Sequence, residues 1–400
     1  MISSQALGKT AHRLRRFGLA HRCLRWFRRV LGTSLSEAVL EFARVIWRNS
    51  DSFGPPSAHF SLYQALRTGD PHIRGRVLAT DQGTPRAMPS SLLVRSGLHQ
   101  HKEQPWPIFW GEIPKARLVN QSLALLQPGK RLAIESVYGL ERIRTDPAFR
   151  YFRLAGSKHL DGPWTSIVSR WVPVHGPCNY THWLLDALPR LALLDDLPPE
   201  TSIIVPGSLS GWQKESLELM GVFDRCRPTS EEHLLIDRYY FSSPTAMLDC
   251  YNPYGVKFLR DIFLSKDMFC EGPRRFVLKR AGKWRPAANE AEMYRLFEKY
   301  GWAVIDTERL TFAQEVALFN HADAVAGLLG SGLTNVVFCR PGCSVIHIVP
   351  DFCLDGWLDW IVQVVGCNYE FVVCESDYRQ SFNVDLQWLE SALQRLDRTA

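Results

Sequence analysis

The stretch from Gly327 to Asn335 reads GLLGSGLTN and directly follows a short apolar run. Glycines let a backbone approach a ligand closely. The first N–H groups of a helix beyond them would offer phosphate the positive end of a dipole. Ser331 and Thr334 add hydroxyl donors. The spacing G-x-x-G-x-G is neither the dinucleotide fingerprint nor a P-loop, which also needs Gly-Lys. On spacing alone, a purely structural turn explains these glycines equally well. A second stretch, Asn179 to Arg190, reads NYTHWLLDALPR. His182 and Asp186 are four apart, so a helix would put them on one face. Such a pair beside a cleft can serve as general base and orienter. The simpler account is a capped helix start whose His and Asp merely pair. A third stretch runs from Lys279 through Arg280, Lys283 and Arg285 to Asn289 and Glu290. Arginine binds a diphosphate bidentately and can offset the charge of a leaving nucleotide. Its plain alternative is a solvated basic loop.

The elements around these stretches must position them. Arg275–Lys279 is a predicted strand feeding the basic loop, and Asn289–Lys299 is the helix after it. Trp302–Ile305 (strand), Thr311–Asn320 (helix), Ala324–Ala326 (strand) and Ser344–Val349 (strand) continue the alternation. Strands alternating with helices of about ten residues imply a parallel sheet with both faces covered. Upstream, Arg117–Leu126, Leu132–Ser136, Ile167–Val174 and Ser202–Val205 read as strands, with a turn at Pro128-Gly129. His182–Leu194 reads as a helix that Pro189 kinks or ends. Gln213–Met220 reads as a helix with Gly221 past its end. A last helix runs from Val384 to Leu396 with Asn383 as its N-cap. Residues 49–110, rich in Pro, Gly, Ser and His, read as loops.

Composition bounds the function. Hydrophobic residues make up 46% and charged residues 22%, a globular balance that predicts a sizeable core. No run of 18 apolar residues occurs, so no membrane-spanning helix is expected. The net charge is +6, yet Lys9 and seven arginines give residues 1–30 a charge of +8 with no acid. Residues 31–400 therefore sum to −2, and no basic module for nucleic acid is visible. In that opening segment Leu14, Phe17, Leu24, Phe27 and Leu31 share one helical face. An apolar face with a cationic surround suits peripheral docking of residues 9–31 on a membrane. Two alternatives stand beside it: a helix that covers the body of the protein, and an organelle-targeting peptide. The ten cysteines include no C-x-x-C pair, which reads as buried free thiols in a reducing compartment.

Taken in order, the motifs N-x-x-H-x-x-x-D-x-x-P-R, a strand with Arg before R-x-x-x-N-E, and G-x-x-G-x-G-L-T-N-x-x-F-x-x-P-G resemble glycosyltransferase family 61, the DUF563 group. The closest likeness is to bacterial members linked to capsule and surface polysaccharides. Phe338, Pro341 and Gly342 complete the third motif. The resemblance covers roughly residues 110–375 and implies an α/β fold of the GT-B type, with two Rossmann-like lobes and a central cleft. It divides the chain into a basic amphipathic helical segment (1–50), a loop-rich connector (51–110), an acceptor-side lobe (111–265), a nucleotide-sugar lobe (271–375) and a C-terminal helix (376–400). It implies an inverting transferase, hexosyl or pentosyl, with no cofactor and no metal. The absence of a D-x-D motif agrees with that. The partners would be a UDP-sugar-like donor and a glycan or lipid-linked acceptor, at a cytoplasmic location or on the inner face of the membrane. By the same likeness Arg280, Arg285, Asn289, Gly330, Ser331, Gly332, Leu333, Thr334 and Asn335 hold the donor. Asp186 is the base, or His182 with Asp186 orienting it. Two departures from the family matter: in the glycine loop Leu329 stands where a His is usual, with Ser331 for the usual Ala, and in the strand after Pro-Gly His347 stands where a Glu is usual, the last expected to be a satisfied core histidine. A catalytically degenerate scaffold and a nucleotide-binding oxidoreductase remain as alternatives, the second weakened by the glycine spacing.

Overall fold

The computed structural model describes residues 58–71, 73–79, 107–127, 131–137, 157–247, 250–266, 268, 271–280, 287–354, 356–377 and 381–399. The amphipathic segment expected over 1–50, the turn at Pro128-Gly129, and Arg285 lie outside the described residues. Sixteen strands, β1 to β16 in chain order, form two large sheets and one small hairpin.

The C-terminal half is a five-stranded, wholly parallel sheet. Its strands are β12 (Arg275–Leu278), β13 (Ala303–Ile305), β14 (Ala324–Leu328), β15 (Ser344–Pro350) and β16 (Asn368–Cys374), in spatial order β13-β12-β14-β15-β16. Helices Glu290–Lys299, Phe312–His321 and Trp357–Val365 and the 3-10 stretch Ser331–Phe338 make the crossovers. Every residue of β14 is buried, as an unbroken apolar run in a covered parallel sheet requires. Thr311 and Gln314 form a capping box on helix Phe312–His321, which explains why that helix begins where the sequence expects it. The strand and helix expectations for residues 275–349 hold to within a residue or two.

The N-terminal half is a nine-stranded mixed sheet. Its centre is β3 (Ile108–Val119), antiparallel to β9 (His233–Ser242), which lies parallel to β6 (Lys158–Ser166). Beyond β6 run β7 (Ser202–Pro206) and β8 (Cys226–Thr229), both parallel. On the other side β4 (Ala124–Leu126), β5 (Arg131–Ala133) and β1 (Ala58–Phe60) follow, and β2 (Arg74–Ala79) pairs with β3. β1 and β2 come from the segment expected to be loops. Their pairing is set by contacts some 35 to 70 residues away, with β3 and β5, not by local pattern. Ile167–Val174 is loop rather than strand: β6 ends at Ser166, and Ser169 and Val172 close a tight turn through reciprocal backbone hydrogen bonds of 3.0 and 3.2 Å. The C-terminal helix runs from Leu386 to Thr399, and its cap is Asp385, not Asn383: Asp385 Oδ1 accepts from the N–H groups of Gln387 and Trp388 at 3.0 Å.

One continuous apolar core lies between the sheets. It joins Ile203 and Val205 of β7 to Trp183, Leu188 and Phe263 in the intervening helices, and on to Phe276 of β12 and Val325 of β14. Three smaller clusters complete the buried interior of the described residues. The halves are therefore bonded through a shared interior. That is an α/β fold.

The stretch after Asn179 departs from a regular helix for a nameable reason. It opens as a short α-turn (Tyr180–His182), passes through a π-turn (Trp183–Ala187), and tightens to a 3-10 segment (Leu188–Asp196). Pro189 has no N–H, so the carbonyl of Leu185, four residues back, has no helical donor. The hydroxyl of Thr245 donates to that carbonyl at 2.9 Å. A buried carbonyl stripped of its donor costs about 1–3 kcal/mol. Thr245→Val, nearly the same shape without the hydroxyl, is expected to lower unfolding stability by that amount in urea titrations. A variant as stable as the parent would show that Thr245 is not the substitute donor.

Candidate functional site

The order β13-β12-β14-β15-β16 reverses direction between β12 and β14, and ligands of open parallel sheets bind beyond the carboxyl ends of strands at such a reversal. A cleft of about 500 Å³ opens there. Lys279 and Arg280 enter it at the end of β12, Thr307 and Glu308 after β13, and Gly330, Ser331 and Gly332 after β14. The opposite wall is Cys178, Asn179, Tyr180 and Trp212 of the N-terminal half, with Glu315 from helix Phe312–His321.

Backbone and side chain both shape the turn after β14. A Cβ on Gly332 would lie 3.3 Å from the Leu278 side chain, a contact that would require that side chain to give by a few tenths of an ångström. Ser331 begins a 3-10 stretch, whose first N–H groups lack intrahelical acceptors. The Arg280 guanidinium donates to the Leu329 carbonyl, which pins the arginine beside the turn. Leu329 itself packs into the shared core and is 1% exposed. The departure from the family His therefore falls on a side chain that faces away from the cleft.

Of the residues expected to hold a donor, Arg280, Gly330, Ser331, Gly332 and Leu333 line the cleft. Thr334 and Asn335 do not. Both are fully buried beneath it. Thr334 and Thr181 share a hydroxyl hydrogen bond of 2.8 Å. Asn335 Nδ2 donates to Glu315 at 2.7 Å, and its Oδ1 lies 2.7 Å from the Tyr180 hydroxyl, which is also 2.8 Å from Glu315. A phenol has one proton, so all three contacts are satisfied when Glu315 is neutral and donates to Tyr180. Burial, which pushes the Glu315 carboxyl up against the opposing hydrogen bonds, works in the same direction. Asn289 is corrected outright: its amide accepts from Val384 N–H at 2.8 Å and donates to the Val384 carbonyl at 2.9 Å. With both ends bonded to the C-terminal segment, it clamps the chain and does not line the cleft.

His182 and Asp186 follow directly on the cleft wall at Cys178–Tyr180 but are not among its lining residues. Asp186 is fully buried, bonded to Arg190 at 3.2 Å and to the Ser169 hydroxyl at 3.1 Å. With these partners Asp186 has no exposed surface and does not face the cleft. His182 is half-buried, and its ring stacks on Trp171 with centroids 4.8 Å apart and planes 7° from parallel. Trp171, at the tip of the Ser169 turn, is the exposed large apolar side chain of the described residues. Asp186 thus holds Ser169, the Ser169 turn presents Trp171, and Trp171 fixes the His182 ring.

Sequence reasoning missed Tyr180, Glu315, Thr307, Glu308 and Trp212 as cleft residues. The rule that ligands sit beyond strand ends would have pointed to Thr307 and Glu308. Glu315 and Trp212 carry no local signal, because helix packing alone brings them there. The described group with metal-ligand spacing, His159, Asp161 and Asp237, is exposed on β6 and β9, outside the cleft lining. His159 and Asp237 form an ion pair at 2.8 Å.

Residues 180–346 match the family model of Glycosyltransferase 61. No curated protein matches the chain. The matched span runs from Tyr180 to β15 and encloses His182, Asp186, Arg280 and the Gly330–Asn335 turn. It supports family 61, and with it glycosyl transfer between a sugar donor and an acceptor. Among the described residues no helix is long and apolar enough to cross a membrane.

His347, at the position where a Glu is usual, is fully buried on β15 with Nδ1 2.8 Å from the Tyr369 hydroxyl. Burial pushes its imidazole down to about 3. An unfolded histidine titrates near 6.5. Below that pH the unfolded chain takes a proton that the folded one refuses. The stability contributed by neutral His347 is therefore complete above about pH 6.5 and is lost progressively as pH falls toward 3. His347→Gln, which cannot titrate, should flatten the acid limb of the stability curve between pH 6.5 and 4. Denaturation curves of the two proteins that fall in parallel over this range would reject the assignment.

Proposed function

We propose that this protein is an inverting, metal-independent glycosyltransferase of the GT-B kind. It moves a sugar from a UDP-sugar donor to a glycan or lipid-linked acceptor, in surface polysaccharide biosynthesis. The observation that carries the reading is the cleft at the strand reversal, lined by a glycine turn with Lys279 and Arg280 beside it. A leaving nucleoside diphosphate builds negative charge on its terminal phosphate. Arg280, Lys279 and the N–H groups opening the 3-10 stretch are placed to offset it in a site partly closed to water.

The acceptor comes from the His182 side. His182 takes the acceptor hydroxyl proton while that oxygen attacks the anomeric carbon from the face opposite the departing diphosphate, which inverts the configuration. Asp186 acts as a positioning residue through Ser169 and Trp171. Arg285 remains assigned to the donor on the strength of its motif. Leu329 favours a degenerate scaffold only if its side chain belonged in the cleft, and it does not.

Two variants separate binding from chemistry. Arg280→Ala should weaken UDP binding by about 1.5–3 kcal/mol, the range for hydrogen bonds to charged groups. His182→Ala should leave UDP binding intact and lower the rate of transfer about 10²–10⁴-fold. Titration calorimetry and sugar-transfer assays read the two effects. Unchanged UDP affinity in the first variant, or unchanged turnover in the second, removes that residue from its role.

The same reading places residues 9–31 on the inner face of a membrane, where a lipid-linked acceptor would be presented. Full-length protein should co-sediment with anionic vesicles at low salt, and protein starting at Ser34 should not. Both remaining in the supernatant would end that part of the proposal.

A further inference from the structure

Three cysteines meet at the end of the parallel sheet away from the cleft. Cys339 closes the 3-10 stretch Ser331–Phe338, Cys343 precedes β15, and Cys367 precedes β16. Their thiols are near enough to shift one another's titration, and the Cys343 and Cys367 thiols lie 3.8 Å from the Ser344 carbonyl and 4.0 Å from the Arg340 carbonyl, respectively. The backbone places two of them as direct neighbours. Ser344 and Asn368 are the first register partners of the parallel β15–β16 pair. The ladder continues backward through Asn368 N–H to the Cys343 carbonyl at 2.9 Å and Gly342 N–H to the Gly366 carbonyl at 2.8 Å. Cys343 and Cys367 are thus opposite each other one step before the strands. Neighbouring strands run about 4.7–4.9 Å apart, inside the Cα separation of about 4.4–6.8 Å that a disulfide spans.

Access differs among the three. Cys339 and Cys343 are buried, whereas Cys367 is half-buried between exposed Gly366 and Asn368. The guanidinium of Arg260, held by the carbonyls of Val337 and Cys339 at 2.6 and 2.7 Å, adds positive charge beside them.

We propose that Cys367 is a modifiable thiol that attacks low-molecular-weight disulfides first, and that Cys343 then resolves the mixed disulfide to an intramolecular disulfide across the β15–β16 ladder. In the first step the Cys367 thiolate attacks one sulfur of oxidised glutathione. The S–S bond breaks, one glutathione leaves as a thiolate, and Cys367 carries the other as a mixed disulfide. In the second step the Cys343 sulfur attacks the Cys367 sulfur. The second glutathione leaves with the electron pair and takes up the proton that Cys343 gives up. Two protein thiols are oxidised by two electrons, and one oxidised glutathione becomes two reduced ones.

The surroundings favour Cys367 as the attacking group. The Cys339 and Cys343 thiols, with the Arg260 charge in support, hold its thiol down at about 4 against the opposing effect of burial. Burial raises the Cys226 and Cys374 thiols, and the Cys343 thiol is also raised, to about 12, so Cys343 resolves the mixed disulfide only as its proton passes to the departing glutathione.

The test uses the full-length native protein and oxidised glutathione. Cleavage at aromatic residues separates Cys339 and Cys343, between Phe338 and Phe352, from Cys367, between Trp360 and Tyr369. Mass spectrometry of the wild type should show those two peptides joined, with two free thiols lost. Cys343→Ser should stop at a glutathione held on Cys367, and Cys339→Ser should still form the link. A parallel thermal melt confirms that each variant is folded. A Cys367 that stays a free thiol overturns the proposal, and so does a link that survives in Cys343→Ser.

Discussion

The polar seam between the two halves constrains everything else. Tyr180 and Thr181 begin the His182 stretch, Thr334 and Asn335 end the glycine turn, and the two pairs meet across the interface with Glu315 between them. Tyr180 and Glu315 reach the cleft wall, whereas Thr334 and Asn335 have no exposed surface. A buried polar group without its partner costs about 1–3 kcal/mol. Each hydroxyl and amide at the seam therefore depends on the opposite half being in register. Glu215 adds to this from helix Gly211–Leu219. Its carboxylate accepts from the N–H groups of Phe312 and Ala313 at 2.8 and 3.2 Å, so an acid from one half caps a helix of the other. The seam fixes the distance between the glycine turn and the wall that leads to His182.

A second constraint lies one turn along. The Asp186–Arg190 pair is almost wholly shielded from water, unlike exposed pairs such as Lys257–Asp261 and Arg295–Glu292. Exposed pairs contribute about 0–1 kcal/mol, whereas breaking a buried pair leaves an uncompensated charge at a cost of about 3–5 kcal/mol. The His–Asp spacing that reads as a catalytic dyad is thus divided by environment. Asp186 is locked into the core, and His182 is left half-buried at the surface. The π-turn between Trp183 and Ala187 and the 3-10 segment that Pro189 imposes set the angle at which His182 emerges.

The parallel sheet was legible in the sequence because its strands are continuous apolar runs and its helices carry their own caps. The three motifs were legible for a related reason: each lies where a strand or loop hands over to a helix, and glycine, proline and capping residues mark such places. What was not legible depends on distance. β1 and β2 are short strands without clear alternation, and β3 and β5 make them strands. The helix-start motif named His182 but could not show that Ser169, in a segment that reads as strand, would fold back to bond Asp186. Asn289 looked like a ligand because Asn follows a basic loop at the head of a helix. Its partner, Val384, is 95 residues away.

The two departures from the family pattern have one physical explanation. The side chain at position 329 points into the shared core while its carbonyl holds Arg280, so the cleft takes its character from backbone and from the arginine, not from residue 329. Leucine there adds apolar packing at a place where a polar ring would need a buried partner. Position 347 is the complementary case. It lies on β15, in register with Gly327 of β14, fully buried, and its histidine meets the hydroxyl of Tyr369 on β16. Neutral His347 pairs with a phenol at Nδ1 without charge, its Nε2 being buried with no hydrogen-bond partner among the described residues, whereas a glutamate in the same place would need a cation or a proton to be tolerated. Both substitutions thus replace a polar or ionisable side chain by one suited to a dry interior. Both lie behind the cleft wall, and the groups that face the cleft are unchanged by them.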